Sequence, residues 1–260
     1  MLYINSAMRY GLNLLSPNPN SDSSFGFVPL NMRSNENLDL PDTRPSREQI
    51  ASGAYLLRGI ALDNVTALLA EIEQIETAAA FRHLETPGGF RMSVAMTNCG
   101  ALGWVSDRRG YRYTTHDPLS GQPWPRMPAV FSTLAEAAAK AAGFEGFKPD
   151  ACLINRYLPG ARLTLHQDKD EKDFSAPIVS VSLGLSAVFL FGGNARKDKQ
   201  RRIPLQHGDV VVWGGAARLF HHGVLPLKDG NHLVLGRQRV NLTFRRAHQG
   251  PRPQSTGAVN

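Results

Sequence analysis

The chain has 260 residues and a mass of 28.5 kDa, enough for one domain with a substantial hydrophobic core. With 42% hydrophobic and 20% charged residues, and no apolar run approaching the ~20 residues of a membrane span, the composition excludes collagen-like and helical membrane proteins. The 29 Lys and Arg exceed the 22 Asp and Glu by seven, and 22 of the basic residues are arginine. This balance favours polyanionic partners such as nucleic acid.

The N-terminus and the cysteines predict a reducing compartment. Residues 1–16 have no basic segment leading into an apolar stretch and a cleavage site, so a secretory signal is not evident. Cys99 and Cys152 are too far apart in sequence to form a CxxC metal or redox site. We therefore expect a reduced, cytoplasmic protein. Separately, we expect a monomer with no membrane association.

In chain order, residues 1–47 are rich in Asn, Ser and Pro and predict a poorly ordered extension, as does the tail at 247–260. The folded domain is expected between them, at residues 48–246. A first helix is predicted after Asp63, which could cap it, because apolar residues then recur at the helical period as far as Ala79. A second helix is predicted from Ala129 to Ala141, with Gly143 placed to end it.

After Asp150 the apolar pattern changes from helical to alternating, which predicts several short strands. Val179, Val181 and Leu183 alternate with small polar residues. In residues 239–245 apolar side chains alternate with polar ones, so this strand should turn its polar face towards water or a polar cavity. Because no helical crossovers separate the strands, a sandwich or jelly roll is favoured.

Two His-x-Asp motifs, at His166-Gln167-Asp168 and His207-Gly208-Asp209, are candidates for a metal site. Residues i and i+2 of a strand point to the same side, so each pair could bind one ion. The glycine before a long apolar run favours a structural turn for the second pair. His221-His222 can supply a third ligand, but only one of these neighbours can reach the metal. Two imidazoles and one carboxylate form the open site of non-haem Fe(II) oxygenases.

Several stretches closely resemble the AlkB family of Fe(II)/2-oxoglutarate-dependent dioxygenases. The resemblance runs from about residue 53 to 246 and is strongest at 93–100, 150–157, 165–171, 179–185 and 207–215. It implies an α+β fold, namely a double-stranded β-helix (jelly roll) with backing helices. It also implies an N-terminal nucleotide-recognition lid at about residues 81–126.

The resemblance also implies the residues of the metal and cosubstrate site. Fe(II) would be bound by His166, Asp168 and His222, because the family's second histidine ligand is followed directly by Gly. The cosubstrate 2-oxoglutarate would be bound by Asn155, Tyr157, Arg239, Asn241 and Arg245, with Trp213 lining the pocket. The two arginines suit the two carboxylates of an oxo-diacid. Without the resemblance, Tyr157 and Trp213 would be read as core aromatics, and the strand arginines as a solvated face.

The implied reaction is direct reversal of alkylation damage. Iron and O2 decarboxylate 2-oxoglutarate to succinate and CO2, and the N-methyl group of N1-methyladenine or N3-methylcytosine leaves as formaldehyde. The expected partner is nucleic acid, preferably single-stranded or damaged DNA, with RNA as a further substrate. The implied substrate residues are Thr86, Met96, Trp104, Tyr111, Tyr113, Asp170 and Arg196.

Trp104 and His166 would hold the flipped base between them, and Asp170 would favour its positive charge. The DNA backbone would contact Tyr111, Tyr113 and Arg196, the last of which opens a loop with a net charge of +4 at residues 196–202.

Two alternatives remain open at this point. An iron/2-oxoglutarate hydroxylase of a small molecule, free nucleoside or protein would keep the metal ligands and the arginines but lack salt-sensitive DNA binding. A non-catalytic nucleic-acid-binding module on the same barrel would have no reason to keep an open metal site. The charged run at 168–173 and the basic loop could also be merely solvated.

Overall fold

The computed structural model describes residues 46–248, which contain fourteen strands and two α-helices. The helices are α1 (Val65–Ala78) and α2 (Ala129–Ala141). The strands are β1 (Arg47–Ala51), β2 (Ala54–Leu57), β3 (Arg82–Glu85), β4 (Arg91–Gly100), β5 (Gly103–Asp107), β6 (Gly110–Thr114), β7 (Ala151–Tyr157), β8 (Leu163–His166), β9 (Ile178–Gly184), β10 (Ala187–Phe191), β11 (Arg201–Leu205), β12 (Val210–Trp213), β13 (His222–Val224) and β14 (Arg239–Arg245).

The strands pair antiparallel into a major sheet, a minor sheet and a hairpin. The major sheet has the order β1-β2-β12-β9-β14-β7-β4-β3, the minor sheet has the order β11-β10-β13-β8, and β5 pairs with β6. Phe189 and Phe191 of the minor sheet pack against Trp213 of the major sheet, with ring centroids 6.0 and 6.2 Å apart. The two sheets therefore face each other as a double-stranded β-helix, which confirms the predicted fold.

The two helices cover the opposite face of the major sheet. Leu68 and Ile72 of α1 and Phe131 of α2 are buried in one cluster with Leu242 and Phe244 of β14. Phe131 and Phe244 meet edge to face, with centroids 5.9 Å apart. The helices thus leave only the inner face of the sheet free to form a site.

Both helices lie where the apolar period predicts them, but the predicted cap of the first is wrong. Asp63 belongs to a 3-10 turn (Leu62–Asn64), and α1 begins after Asn64, whose side chain makes no capping bond. The turn occupies the position where a capping side chain would act. At the end of α2, Gly143 takes a positive φ of 91°, as expected for a residue that ends a helix.

Strand β14 connects the core to the inner face. Its apolar residues Val240, Leu242 and Phe244 belong to the helix-side cluster, while Arg239 and Arg245 line a cavity between the sheets. All seven residues of the strand are buried. The polar face therefore turns to the cavity rather than to bulk water, which decides between the two possibilities that the alternating pattern left open.

The predicted lid at residues 81–126 combines two kinds of structure. Strands β3 and β4 extend the major sheet, whereas β5 and β6 form a separate hairpin, which we call the recognition hairpin (residues 103–114). The Asn98 side chain of β4 accepts a bond from the Trp104 backbone N–H and donates one to its carbonyl, both at 3.0 Å. A Cβ at position 103 would overlap the Trp124 indole, so this close approach requires the glycine. The hairpin is thus held closely against the major sheet.

The second His-x-Asp motif is structural. Gly208 has a φ of 85°, and the buried Asp209 carboxylate accepts bonds from the backbone N–H groups of Gly59 and Gln206 and from Arg58. These bonds fix the turn that precedes β12. The turn interpretation is therefore confirmed.

Three features concern the ends of the chain and the cysteines. Residues 1–45 of the predicted extension lie outside the described residues. Arg47, which the prediction included in the extension, belongs to β1. The predicted tail also lies outside them from 249 onward, whereas Ala247 and His248 donate backbone bonds to the Asp150 carboxylate. Cys99 and Cys152 are free, buried and directly opposite each other on β4 and β7.

No helix among the described residues is long and apolar enough to cross a membrane.

Candidate metal centre and cosubstrate pocket

A cavity of about 790 Å³ lies between the two sheets and extends to the recognition hairpin. This volume is within the range of small-molecule sites. The metal-ligand candidates belong to its lining. Arg239 and Arg245 line it from β14, and Trp104 and Tyr111 line it from the recognition hairpin. The cavity therefore brings together residues that are far apart in sequence.

The three predicted ligands meet at one point. His166 ends β8, His222 begins β13, and the two are partners in the register of these neighbouring strands. The Nε2 atom of His166 is 3.5 Å from one Asp168 oxygen, and that of His222 is 3.8 Å from the other. One donor atom from each residue lies within 4.8 Å of the other two. A single ion can therefore contact all three.

The hydrogen bonds of both imidazoles direct the Nε2 lone pair towards this point. His166 Nδ1 lies 2.9 Å from the Thr164 carbonyl, and His222 Nδ1 lies 2.9 Å from the Phe220 carbonyl. A carbonyl oxygen only accepts, so each Nδ1 must carry the proton and each Nε2 must be unprotonated in the neutral ring. Backbone carbonyls that fix the tautomer in this way are typical of metal-binding histidines.

The ionisation of the cluster also suits a cation. Burial, with His166 nearby, lowers the pKa of His222 to about 3, so this ring is neutral at physiological pH. Burial alone would raise the pKa of Asp168, but the Arg245 guanidinium brings it well below its usual range. Two neutral imidazoles and one carboxylate that leave positions open match the donor set of non-haem Fe(II) oxygenases. The residues present therefore fit Fe(II).

The choice between the adjacent histidines is visible in their positions. His222 is buried at the meeting point, whereas the Nδ1 of His221 lies 3.3 Å from the Gly193 carbonyl. The structure thus brings His222 to the cluster.

The predicted cosubstrate residues line the same cavity on β7 and β14. Arg239 is only 1% exposed, and its Nη2 donates to Ser182 at 2.9 Å. Its Nε and Nη1 are buried without a partner among the described residues, and its guanidinium lies over the Tyr157 ring at 4.9 Å from the centroid. Unpaired buried donors are uncommon. They fit a carboxylate that arrives with a ligand.

The amides beside Arg239 form a small network. Asn241 donates to Ser180 and to the Val181 carbonyl, both at 2.8 Å, and accepts from Asn155 at 3.3 Å. The Asn155 carbonyl oxygen and the Trp213 indole N–H are buried without a partner within residues 46–248. The Trp213 indole N–H is therefore a further donor available to an oxo-diacid, whereas the Asn155 oxygen can only accept a bond.

Arg245 lies deeper, against the metal cluster. Its Nε and Nη2 donate to one oxygen of Asp168 at 2.9 and 2.7 Å. Although burial opposes its charge, the neighbouring carboxylates raise the pKa of Arg245 above its usual value. This arginine therefore orients the Asp168 carboxylate, which sequence reasoning did not predict. Its assignment as a 2-oxoglutarate anchor stays a prediction.

The recognition hairpin presents an aromatic surface to the cavity. The rings of Trp104 and Tyr111 stack with centroids 5.5 Å apart and planes inclined by 13°. The Trp104 indole N–H donates to the exposed Asp170 carboxylate at 2.8 Å. A flat ring with a carboxylate at its edge thus belongs to the same cavity lining as His166.

The other predicted substrate residues divide into two groups. Thr86, Met96 and Arg196 line the cavity, where Arg196 donates to the Leu165 carbonyl at 2.7 Å. Tyr113 does not belong to its lining, because its hydroxyl donates to Glu171 at 2.5 Å. Burial and the nearby Glu171 raise the pKa of Tyr113 well above its usual value. The structure therefore does not bring Tyr113 to the cavity with the other candidates.

Sequence reasoning missed two charged residues next to the site. Glu171 belongs to a charged run that the sequence analysis left open as solvated, but it is buried, and Arg218, which was not singled out, is also buried. The local pattern carried no signal for either, because their partners come from other segments of the chain.

Comparisons with known proteins agree with this geometry. The family model described as the 2OG-Fe(II) oxygenase superfamily matches residues 53–245. The chain is 57% identical to the alpha-ketoglutarate-dependent dioxygenase AlkB of Salmonella typhimurium over 211 residues, which are 81% of this chain and 98% of that protein. AlkB of Escherichia coli is 56% identical over the same shares. The solved structure of OsALKBH1 matches with a TM-score of 0.69 and 30% identity over 77% of this chain and 99% of that chain. The chain therefore belongs to the 2OG-Fe(II) oxygenase superfamily and, within it, to the AlkB family.

Proposed function

We propose that this protein removes alkyl groups oxidatively from the bases of nucleic acids, with Fe(II), 2-oxoglutarate and O2, and so reverses alkylation damage directly. One observation carries the proposal: a single cavity holds the His166, Asp168 and His222 cluster, two buried arginines and a stacked aromatic surface. The metal, an oxo-diacid and a flat base would each have a matching set of side chains.

In this site the bound Fe(II), O2 and 2-oxoglutarate supply the oxidation that releases a methyl group as formaldehyde, with succinate and CO2 as coproducts. The protein contributes position and shielding. Arg245 orients Asp168, and the backbone carbonyls orient both imidazoles. Arg239 would bind a cosubstrate carboxylate through its unpaired Nε and Nη1, and Asn155 and Asn241 would complete the pocket through polar contacts.

The aromatic surface supports a base as the substrate. Stacking on an aromatic side chain contributes about 1–3 kcal/mol per base, and damaged bases leave the helix at low cost. Among the relatives, the nucleic acid dioxygenase ALKBH1 of mouse is 36% identical over 136 residues, which are 34% of that protein. A nucleic-acid substrate also agrees with the net charge of +7.

We also propose N1-methyladenine and N3-methylcytosine as substrates. Both bases carry a positive charge, and the Asp170 carboxylate accepts a hydrogen bond from the indole N–H of Trp104. A base stacked on Trp104 would therefore meet a negative charge, which favours these bases over undamaged ones. Thr86 and Met96 would line the base pocket, and Tyr111 and Arg196 would contact the backbone phosphates.

The same surface supports a preference for single-stranded or damaged DNA, because a base must leave its stack to reach the cavity. We further propose that the enzyme acts as a monomer in the cytoplasm, where the two free cysteines would stay reduced. Size-exclusion chromatography with light scattering tests the monomer.

The decisive experiment adds Fe(II) and 2-oxoglutarate without oxygen and records the visible charge-transfer band of a chelated cosubstrate. Oxygen and a methylated single-stranded oligonucleotide are then added, and formaldehyde is measured. The His166→Ala variant should lose both the band and the formaldehyde. A band without formaldehyde from any oligonucleotide would favour a hydroxylase of a small molecule, a nucleoside or a protein.

A further inference from the structure

A buried group of four charged side chains lies behind the metal cluster. Arg218 and Arg245 carry the positive charges, and Asp168 and Glu171 carry the negative ones. Each of the four is less than 9% exposed. Buried charges are tolerated when they are paired and hydrogen-bonded, and two cations with two anions satisfy that condition.

Glu171 is the member that reaches beyond the metal cluster. One carboxylate oxygen accepts the Tyr113 hydroxyl of β6 at 2.5 Å and lies 3.3 Å from Arg245 Nε. The other accepts from Arg218 Nη2 at 3.1 Å. A single side chain therefore joins the recognition hairpin, strand β14 and the connection that leads into β13.

Arg218 ties the same carboxylate to the segment that carries the metal ligand. Its Nη1 donates to the Asp168 carbonyl at 2.7 Å, and its Nε donates to the Ala176 carbonyl at 3.0 Å. The segment from 167 to 177 has no regular secondary structure, so its carbonyls need partners from elsewhere. Arg218 thus holds both ends of this segment and Glu171 within it.

We propose that Glu171 is a positioning residue that fixes the recognition hairpin relative to the metal ligands through its bond from Tyr113. The proposal rests on the proposed function, in which a base stacks on Trp104 of this hairpin while its methyl group reaches the metal. The aromatic surface and the ligands belong to different segments of the chain, so without this bond the hairpin would have to be ordered when the base binds, which weakens binding of the substrate more than the chemical step. Tyr113 then acts through Glu171 rather than on phosphate.

The kinetic test compares Tyr113→Phe, Glu171→Gln and the double variant. Phenylalanine removes only the hydroxyl, while glutamine keeps the shape but turns one acceptor into a donor that faces an arginine. Tyr113→Phe should raise the KM for a methylated oligonucleotide about tenfold, the value of one hydrogen bond to a charged group, and change kcat less than twofold. Because both act through one bond, the double variant should be no worse than Glu171→Gln alone.

A second readout needs no turnover. In metal-free protein, hydrogen exchange of the amides at 103–114 should be faster in Tyr113→Phe and in Glu171→Gln than in wild type, while exchange in β9 should stay unchanged. Tyr55→Phe and Glu136→Gln are the matched controls. Tyr55 lies on β2, Glu136 pairs with Lys148 on the surface of α2, and neither variant should change the KM or hairpin exchange.

Two results would overturn the proposal. If hairpin exchange is unchanged in Tyr113→Phe, or if the KM effects of the two single variants multiply in the double variant, Tyr113 acts on the substrate and not through Glu171. If wild type releases no formaldehyde from any oligonucleotide, the proposed function fails. The exchange measurement still decides whether Glu171 holds the hairpin.

Discussion

Replacement of Arg239 should raise the stability of the metal-free protein and weaken the binding of 2-oxoglutarate. Its buried Nε and Nη1 have no partner within residues 46–248, so in the ligand-free protein each costs about 1–3 kcal/mol. Replacement by methionine removes this cost and sacrifices the bond to Ser182 and the contact with the Tyr157 ring, each worth about 1 kcal/mol. We expect Arg239→Met to stabilise the metal-free protein by about 2 kcal/mol, which raises Tm by about 4–8 °C.

The same change should strongly weaken the binding of 2-oxoglutarate. Two charge-assisted hydrogen bonds to a carboxylate contribute about 3–6 kcal/mol, so their loss should raise the Kd for 2-oxoglutarate by about 10² to 10⁴. At 100 times its Kd, 2-oxoglutarate should stabilise anaerobic Fe(II)-loaded wild type by about 2.7 kcal/mol. The same concentration should stabilise the variant by less than about 0.5 kcal/mol.

Thermal unfolding with and without 2-oxoglutarate measures both effects. Arg156→Met is the matched control, because Arg156 also lies over an aromatic ring but pairs with Glu76 at 2.7 Å. This control should lower Tm and keep the stabilisation by 2-oxoglutarate. If Arg239→Met is less stable than wild type without ligand and is still stabilised by 2-oxoglutarate, the unpaired guanidinium is not a carboxylate anchor.

Three further predictions concern the base and the pH dependence. Asp170→Asn keeps an acceptor for the Trp104 indole but loses the charge, so formaldehyde release should fall more for N3-methylcytosine than for a neutral etheno adduct, and an equal loss would contradict the charge argument. Trp104→Ala should raise the KM for oligonucleotides by about tenfold or more and leave decarboxylation of 2-oxoglutarate without substrate detectable, whereas equal loss of both would exclude a stacking role. Burial and the nearby His232 lower the pKa of His207, whose Nδ1 accepts from the Gly184 N–H at 2.9 Å. The folded state therefore binds this proton less readily than the unfolded chain, so stability present above pH 6.5 should be lost as the pH falls. His207→Asn keeps the acceptor without the titration, and denaturant unfolding at pH 7.5 and 5 should then differ less than in wild type.

Several elements could be predicted because their signal is local. The apolar period places α1 and α2, and strict alternation places β9 and β14. The His166-Gln167-Asp168 motif is local too, because the strand geometry of residues i and i+2 puts both side chains on one side. The prediction of Asp63 as the helix cap was wrong because a 3-10 turn precedes the helix, and the residue types do not indicate that turn.

Other features depend on contacts that are distant in sequence. Cys99 and Cys152 are far apart in sequence, and only the register of β4 and β7 places them opposite each other. Tyr113 was predicted at the phosphate backbone, but its hydroxyl meets a carboxylate 58 residues away. Glu171 belongs to a charged run that is usually solvated, and only the approach of Arg218 and Arg245 makes its burial possible.

The sequence by itself determined the strands, the helices and the types of ligand, because periodicity and a two-residue spacing depend on backbone geometry that every chain shares. The tertiary structure alone decided which charges are buried and which donors remain unpaired. Those properties depend on the partner that arrives from another strand, and a side chain has no fixed free energy of burial until that partner is in place.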